Sequence, residues 1–327
     1  MNIIEAEAGP GGESYRPVAI GSIRLNTAPA FDLYFRPDSA QPIVLYSRQG
    51  LPVTAETLCR LEESRIDVLY VHEAALQEYR RYVSANLGEI LADTKMPVQE
   101  KAHILYNTAQ AVLEDVFDQP PSRESVNRGK DVARHTVSLM TSDGFVFEHL
   151  LRTISGDYYL YTHSVNVATY SVAMAMRMGY SDASTLREIA NGALLHDIGM
   201  SRIDSAVRMS DGPLTPDQWA RVKQHPVEGH ALLEGLGCLG EIALDIILHH
   251  HEKLNGAGYP HGLSGKALSP FVRLVSLCNV FDALTTDRHH QPARKTFAAI
   301  HLIQTEMRHE IDQELLRLFI EMMGLRP

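Results

Sequence analysis

The feature that most constrains the fold is the second half of the sequence, where apolar residues recur at helical spacing with few interruptions. The segments 126–140 and 145–154 show this period, and Gly179 follows the segment 163–178 as a natural helix stop. Thr215-Pro216-Asp217-Gln218 combines an N-cap, a proline at the first helical position and a glutamine that returns to the cap. Further helices are predicted over 184–196, 226–236, 239–250, 270–284 and 293–323. No strand candidate of weight follows residue 125, so this half is predicted to be all-α.

The first half of the sequence has a different pattern. Short β-like runs separated by turn residues extend from Val18 to Val71, and the segments 73–92 and 98–117 then show helical spacing. Pro120 and Pro121 cannot continue a helix and therefore mark a domain boundary. We expect a smaller N-terminal α/β domain with a helical linker over residues 1–118, acting in regulation or interaction. The C-terminal helical domain then occupies residues 119–327.

Composition limits the partners and the compartment. The net charge of −10 argues against binding to DNA or RNA, so a small anionic ligand would need a local positive site such as a metal. Three cysteines lie far apart in sequence and indicate a reducing compartment without disulfides. No apolar run is long enough to cross a bilayer, and the acidic N-terminus is unlike a secretory signal. We therefore expect a cytoplasmic protein without membrane contact; its oligomeric state stays open.

Histidine is concentrated in the predicted helical domain. Three of the sixteen histidines precede residue 149, and the other thirteen lie from His149 onward. Four histidine segments coincide with predicted helix ends: His163, His196-Asp197, His225 and His249-His250-His251. A carboxylate beside a histidine can bridge two cations, and two metals about 4 Å apart can share a water, lower its pKa and clamp a phosphate. Imidazoles with some carboxylate suit iron, manganese or zinc better than magnesium or calcium.

Each segment taken alone also has an ordinary structural explanation. A buried histidine such as His163 is more often a hydrogen-bonded core residue than a ligand. Asp197 could cap the next turn, and three consecutive histidines could form a solvated helix end that the helix dipole favours. The order and spacing of the four segments together favour a metal cluster.

Five ordered motifs resemble the HD-GYP family, a branch of the HD phosphohydrolase superfamily. They are YTHSVNVATYSVAMAMRMGY (161–180), LLHDIGM (194–200), GPLTPDQWARVKQHPVEG (212–229), HHEKLNGAGYPHGLSG (250–265) and RLVSLCNVFDALTTDR (273–288). The resemblance extends over roughly 126–323 and is much looser before residue 118. It implies an HD-type helical bundle around a metal cluster that usually contains iron, and phosphodiesterase activity on cyclic di-GMP.

The resemblance also implies roles for individual residues. The metal ligand positions are His163, His196, Asp197, His225, His250, His251 and Asn279, with Asp197 as the bridge. Asp197 and His196 would be the catalytic pair, and Gly258, Tyr259 and Arg288 would contact substrate. Four glycines within NGAGYPHGLSG allow close approach of a ligand, although an ordinary connecting turn explains them as well. Two divalent metal ions are expected, with iron favoured and manganese or zinc as alternatives.

Several departures from the family pattern leave the function open. Met200 stands where the family has a lysine, and Asn279 stands where it has an aspartate ligand, for which Asp282 one turn away could compensate. Tyr159 replaces a glutamate of the trinuclear members, which favours two metals over three. A further basic residue is lost within 289–291. The alternatives are a cyclic di-GMP phosphodiesterase, an inactive module that binds cyclic di-GMP or a signalling protein, and a hydrolase of another nucleotide.

Overall fold

The computed structural model describes residues 7–8, 13–38, 41–64, 66, 68–118, 120–154, 160–208, 210, 212–287 and 292–324. The chain divides into two compact units, Met1–Thr108 and Ala109–Pro327. The division lies inside a helix that spans Val98–Asp118. The domain boundary at 118/119 therefore stays a prediction.

The first unit contains a five-stranded antiparallel sheet with the order β1-β2-β5-β3-β4. Its elements are β1 (Glu7–Ala8), β2 (Ser14–Ala19), β3 (Leu33–Phe35), β4 (Val44–Ser47), β5 (Val68–His72), α1 (Ala55–Glu63), α2 (Leu76–Ala92) and the start of α3 (Val98–Asp118). This arrangement confirms the smaller α/β domain. A buried apolar cluster holds the sheet together: Val18, Ile23, Phe31, Leu33, Val53, Leu61, Leu69 and Val71.

The β-like run that begins at Val18 differs from the prediction. Strand β2 ends at Ala19, and a 3₁₀ helix follows over Ile20–Ser22. The buried Ser22 hydroxyl donates to the carbonyl oxygen of Ala19 at 2.6 Å and contacts the Tyr79 hydroxyl at 2.9 Å. These bonds satisfy the buried Ser22 hydroxyl within the turn.

The second unit is all-α in its described residues, as predicted. Its helices are α4 (Arg123–Ser142), α5 (Val146–Thr153), α6 (Leu160–Arg177), α7 (Ala183–Leu195), α8 (Ser205–Arg208), α9 (Pro216–Val222), α10 (His225–Leu236), α11 (Glu241–His249), α12 (Pro270–Thr285), α13 (Thr296–Thr305) and α14 (Gln313–Met322). The prediction of one helix over 293–323 is wrong. Asp312 accepts from the backbone N–H groups of Glu314 and Leu315 and caps α14, while its carboxylate pairs with Arg273 at 2.7 Å.

Helix α6 is the centre of the second unit. Every residue from Thr162 to Ala175 is buried, because α7, α12 and α14 pack against it. Helix α7 packs in turn against α4 and α11, and α10 packs against α11 and a 3₁₀ helix over Ile198–Arg202. Each large aliphatic side chain buried in these contacts contributes about 1.5–3 kcal/mol. The packing thus brings the histidine-bearing helix ends together.

Among the helices described, none combines the length and the apolar character that crossing a lipid bilayer requires.

Candidate metal centre

Asp197 lies at the centre of a histidine cluster. His163 is in the first turn of α6, His196 follows α7, His225 begins α10, and His250 follows α11. Asp197 Oδ2 lies 3.3 Å from His196 Nε2 and 3.8 Å from His163 Nε2. Asp197 Oδ1 lies 3.1 Å from His225 Nε2 and 3.5 Å from His250 Nε2. The two carboxylate oxygens therefore face two different pairs of imidazole nitrogens.

Backbone carbonyl groups orient three of these imidazoles. In each, Nδ1 contacts the carbonyl oxygen three residues earlier: His196 with Ala193 at 2.8 Å, His225 with Val222 at 2.8 Å, and His250 with Ile247 at 2.9 Å. A carbonyl oxygen only accepts, so Nδ1 carries a proton in each ring and Nε2 is the nitrogen that faces the cluster and could bind a metal. Such bonds fix the tautomer and the orientation that a metal ligand needs.

The nitrogen atoms of the cluster fit a cation. His225 Nε2 and His250 Nε2 lie 3.2 Å apart, and burial lowers the pKa of His250 to about 4, so that ring is neutral near pH 7. The lone pair of His250 Nε2 then faces His225 Nε2 at a distance that suits two nitrogen ligands of one cation. The buried His196 Nε2 makes no hydrogen bond of good geometry among the described residues, although Asp197 Oδ2 lies 3.3 Å away. A buried polar atom without a partner is costly unless a ligand satisfies it.

The side chains form two groups that could each hold a metal ion and that share Asp197. Asp197, His225, His250 and His251 form one group, and His163, His196 and Asp197 form the other; within each, the ligand atoms lie within 4.8 Å of one another. Asp197 is 8% exposed. Burial by itself would raise the pKa of Asp197, but the surrounding histidines hold it well below the ordinary value. Asp197 is therefore an anion that could bridge two cations.

Both carboxylate oxygens of Asp282 contact neighbouring side chains, one of them His163. Asp282 Oδ2 lies 2.6 Å from His163 Nδ1, and its Oδ1 accepts from Asn166 Nδ2 at 2.9 Å. The opposite ring nitrogen, His163 Nε2, faces Asn279 Oδ1 at 3.0 Å. With the Nδ1 proton donated to Asp282, a cation could bind Nε2 and Asn279 Oδ1 together, and rotation of the Asn279 amide would instead place an N–H donor there. Asp282 thus orients His163, while Asn279 faces the cluster.

The loop after His251 carries Tyr259 to the cluster. The Tyr259 ring stacks on the His251 ring with 4.7 Å between centroids and 24° between planes. Burial, followed by the nearby Asp197 charge, raises the pKa of Tyr259, so its hydroxyl keeps its proton and can donate a hydrogen bond. A Cβ atom on Gly258 would lie only 2.6 Å from the carbonyl oxygen of His251, so this position requires glycine. The substrate contacts of Gly258 and Tyr259 stay predictions.

Glu252 holds this loop in place and was missed by the sequence analysis. Its side chain is buried, with 1% exposed, and its two oxygens accept from the backbone N–H groups of His261 at 2.7 Å and Leu263 at 3.0 Å. The sequence feature that could have indicated its role is its position, directly after two candidate ligands and before a glycine-rich turn. A buried carboxylate at such a position needs partners, and loop N–H groups provide them.

A close crossing of two backbones positions His225. A Cβ atom on Gly199 would overlap the carbonyl oxygen of His225 and lie 2.8 Å from the backbone nitrogen of Gly229. Only a residue without a side chain lets the 3₁₀ helix approach α10 this closely. Both glycines lie within the family motifs, but the sequence pattern by itself assigned them no role.

The structure describes only some of the residues that depart from the family pattern. Met200 lies half-buried in the 3₁₀ helix after Asp197, so an uncharged side chain occupies the position of the family's lysine. Arg288, Tyr159 and residues 289–291 lie outside the described residues. The proposed contact between Arg288 and substrate therefore stays a prediction.

Comparison with known proteins identifies the family. Residues 150–315 match the family model described as "HD domain". A cyclic di-GMP phosphodiesterase of Pseudomonas aeruginosa is 31% identical over 60% of this chain and 45% of its own length. A 3'3'-cGAMP-specific phosphodiesterase of Vibrio cholerae is 30% identical over 50% of this chain and 35% of its own length. The chain thus spans less than half the length of either relative.

A solved structure supports the same assignment. An HDG"Y"P protein from Bdellovibrio bacteriovorus superposes with a TM-score of 0.65 at 25% identity, covering 95% of this chain and 99% of that one. The family match, the bundle and the histidine cluster agree: the chain belongs to the HD domain family, in its HD-GYP branch.

Proposed function

We propose that this protein is a metal-dependent phosphodiesterase that hydrolyses cyclic di-GMP at a dinuclear metal site. The observation that carries the proposal is the position of Asp197, whose two oxygens each face a separate pair of imidazole nitrogens. The substrate class follows from the relatives, among them the cyclic di-GMP phosphodiesterase of P. aeruginosa.

Two sets of side chains would hold the cations. His163 and His196 would bind one through Nε2, with Asn279 adding an oxygen, while His225, His250 and His251 would bind the other. Asp197 would bridge them, and this donor set favours iron, with manganese or zinc as alternatives. When bound, the metal pair would lower the pKa of a water and stabilise charge that develops on the phosphate.

The residues of the chain would prepare the site before substrate arrives. The carbonyl bonds of His196, His225 and His250 fix their ring orientations, so the rings need no reorganisation during the reaction. Asp197, with His196 beside it as the predicted catalytic partner, would keep the charge of the cluster balanced. Tyr259 would donate a hydrogen bond from its hydroxyl to substrate and, by stacking on His251, limit access of water to that ring. Arg288 would add a cationic contact to phosphate.

The second candidate function is a receptor that binds cyclic di-GMP or a signalling partner without useful turnover. Met200 and Asn279 favour it, because two charges of the family pattern are missing. Loss of one charge-assisted phosphate bond costs about 1.5–3 kcal/mol, which corresponds to roughly ten- to a hundred-fold in affinity. In this case the N-terminal domain would transmit the signal.

The test is anaerobic purification, metal analysis, and incubation with cyclic di-GMP followed by chromatography of the products; 3'3'-cGAMP serves as the alternative substrate. We expect two metals per chain and a linearised product. His196→Ala should lose both metal and product, whereas His301→Ala, at an exposed position of α13, should retain both. A fully metallated protein that binds without forming product would establish the receptor function. Wild-type metal content in His196→Ala would refute the metal site itself.

A further inference from the structure

Trp219 is the only tryptophan of the sequence, and it lies exposed beside the loop of the metal cluster. Its side chain is 47% exposed, and its ring centroid lies 6.4 Å from that of Tyr259, with 80° between the planes. Isolated exposed hydrophobic residues are common on protein surfaces and need no special explanation. The position of Trp219 relative to the cluster and the rigidity of its helix distinguish it.

Helix α9 holds the backbone of Trp219 firmly although the ring is exposed. Thr215 and Gln218 form a reciprocal capping box, and Pro216 occupies the first turn. Val222, the last residue of the helix, is buried and anchors it to the unit. The indole is therefore presented from a fixed backbone, which lowers the entropy that a ligand contact would otherwise cost.

Two connections join Trp219 to the cluster. Tyr259, which Trp219 contacts, stacks on His251, and this histidine belongs to one of the two candidate ligand groups. In sequence, only Lys223 and Gln224 separate α9 from His225. The indole thus lies one ring contact from Tyr259 and two from His251 of the cluster. The two rings pack edge to face, and almost half of the Trp219 side chain stays exposed and accessible to a flat aromatic ligand.

We propose that Trp219 is the stacking platform for one purine base of the bound cyclic dinucleotide. The inference rests on the proposed function, because it places the phosphate of the same ligand at the metal cluster. Stacking needs no charge, so it provides affinity for a base on a protein with a net charge of −10. Stacking contacts the face of a base and makes no hydrogen bonds to its edge, so it does not discriminate guanine from adenine. Trp219 touches the base and not the reacting phosphate, and it acts on affinity more than on the chemical step.

Because the chain has one tryptophan, its fluorescence reports on this position directly. We would mix metal-loaded full-length protein with cyclic di-GMP or 3'3'-cGAMP in a stopped-flow instrument, so that the signal is recorded before turnover. The expected result, for both ligands, is a change in tryptophan emission that saturates with ligand concentration. Its half-maximal concentration should equal the Kd measured by calorimetry.

Variants provide the second measurement. Trp219→Ala should weaken Kd and raise KM for both dinucleotides about five- to a hundred-fold, with kcat and metal content little changed. Trp219→Phe, which keeps a smaller aromatic ring, should have Kd and KM values between those of wild type and Trp219→Ala. Phe297→Ala is the matched control, because Phe297 is 77% exposed on α13 and is not part of the cluster. It should behave as wild type.

The outcomes separate this inference from the proposed function. If wild type shows the emission change and Trp219→Ala binds more weakly, but wild type forms no product, the platform is supported and catalysis is refuted. If wild type hydrolyses the substrate without an emission change, and Trp219→Ala keeps the wild-type Kd and KM, the platform is refuted while the phosphodiesterase function is supported. If Trp219→Ala altered only self-association or binding to a protein, the indole would be an interface residue and the inference would be wrong.

Discussion

Gly199→Ala tests whether backbone contact, and not only the histidines themselves, builds the metal centre. The added methyl would overlap the carbonyl oxygen of His225, where ordinary contact is 3.4–4 Å, and neither neighbour is a flexible side chain. Relief therefore requires that α10 and the 3₁₀ helix separate by on the order of 1 Å. Metal ligands tolerate about 0.2 Å, and a misplacement of 1 Å can cost about a hundred-fold in rate. His225, now 3.1 Å from Asp197, would move out of range.

The assay compares metal content, phosphodiesterase rate and thermal unfolding for Gly199→Ala and a matched control. We expect loss of the metal on the His225 side, a rate at least about a hundred-fold lower, and destabilisation of about 1–3 kcal/mol from overpacking. Gly235→Ala is the control, since Gly235 lies in the same helix α10, a methyl group there would meet open space among the described residues, and helix propensity should stabilise the variant slightly. Two retained metals and unchanged unfolding in Gly199→Ala would refute the reasoning.

Three further predictions concern single side chains. Asp282→Asn removes the carboxylate that orients His163, so metal affinity should fall about 10- to 100-fold in a chelator competition. Asp245→Asn, which alters the carboxylate beside His249, is the control and should leave metal affinity unchanged, and equal affinities in the two variants would contradict the role assigned to Asp282. Glu252→Gln leaves one loop N–H without its acceptor, which should cost about 1–3 kcal/mol in the free energy of unfolding by denaturant titration and raise KM for substrate; a wild-type unfolding midpoint would argue against this clamp. Asn279→Asp restores a carboxylate beside the cluster and should slow metal loss to a chelator, and an unchanged rate would show that Asn279 is not at a ligand position.

Local sequence patterns predicted much of the C-terminal unit. The capping box at Thr215, the stop at Gly179 and the apolar periods depend on atoms within one or two helical turns, and the described helices follow them. The prediction of one helix over 293–323 failed because it used the apolar period and overlooked Asp312, which caps α14 and also pairs with Arg273, far away in sequence. Periodicity by itself shows neither the cap nor the distant partner.

The residue types of the candidate site were also visible in the sequence, because imidazoles and a carboxylate beside helix ends are unusual enough to be recognised. Their geometry was decided by tertiary packing. Asp282 and Asn279 lie one turn apart on α12, and only the contact with α6 determines that the first orients His163 while the second faces the cluster. Likewise, the need for glycine at position 199 arises from a backbone crossing with α10. Short-range patterns determine which helices form, whereas the angle and distance at which they pack determine which atoms meet.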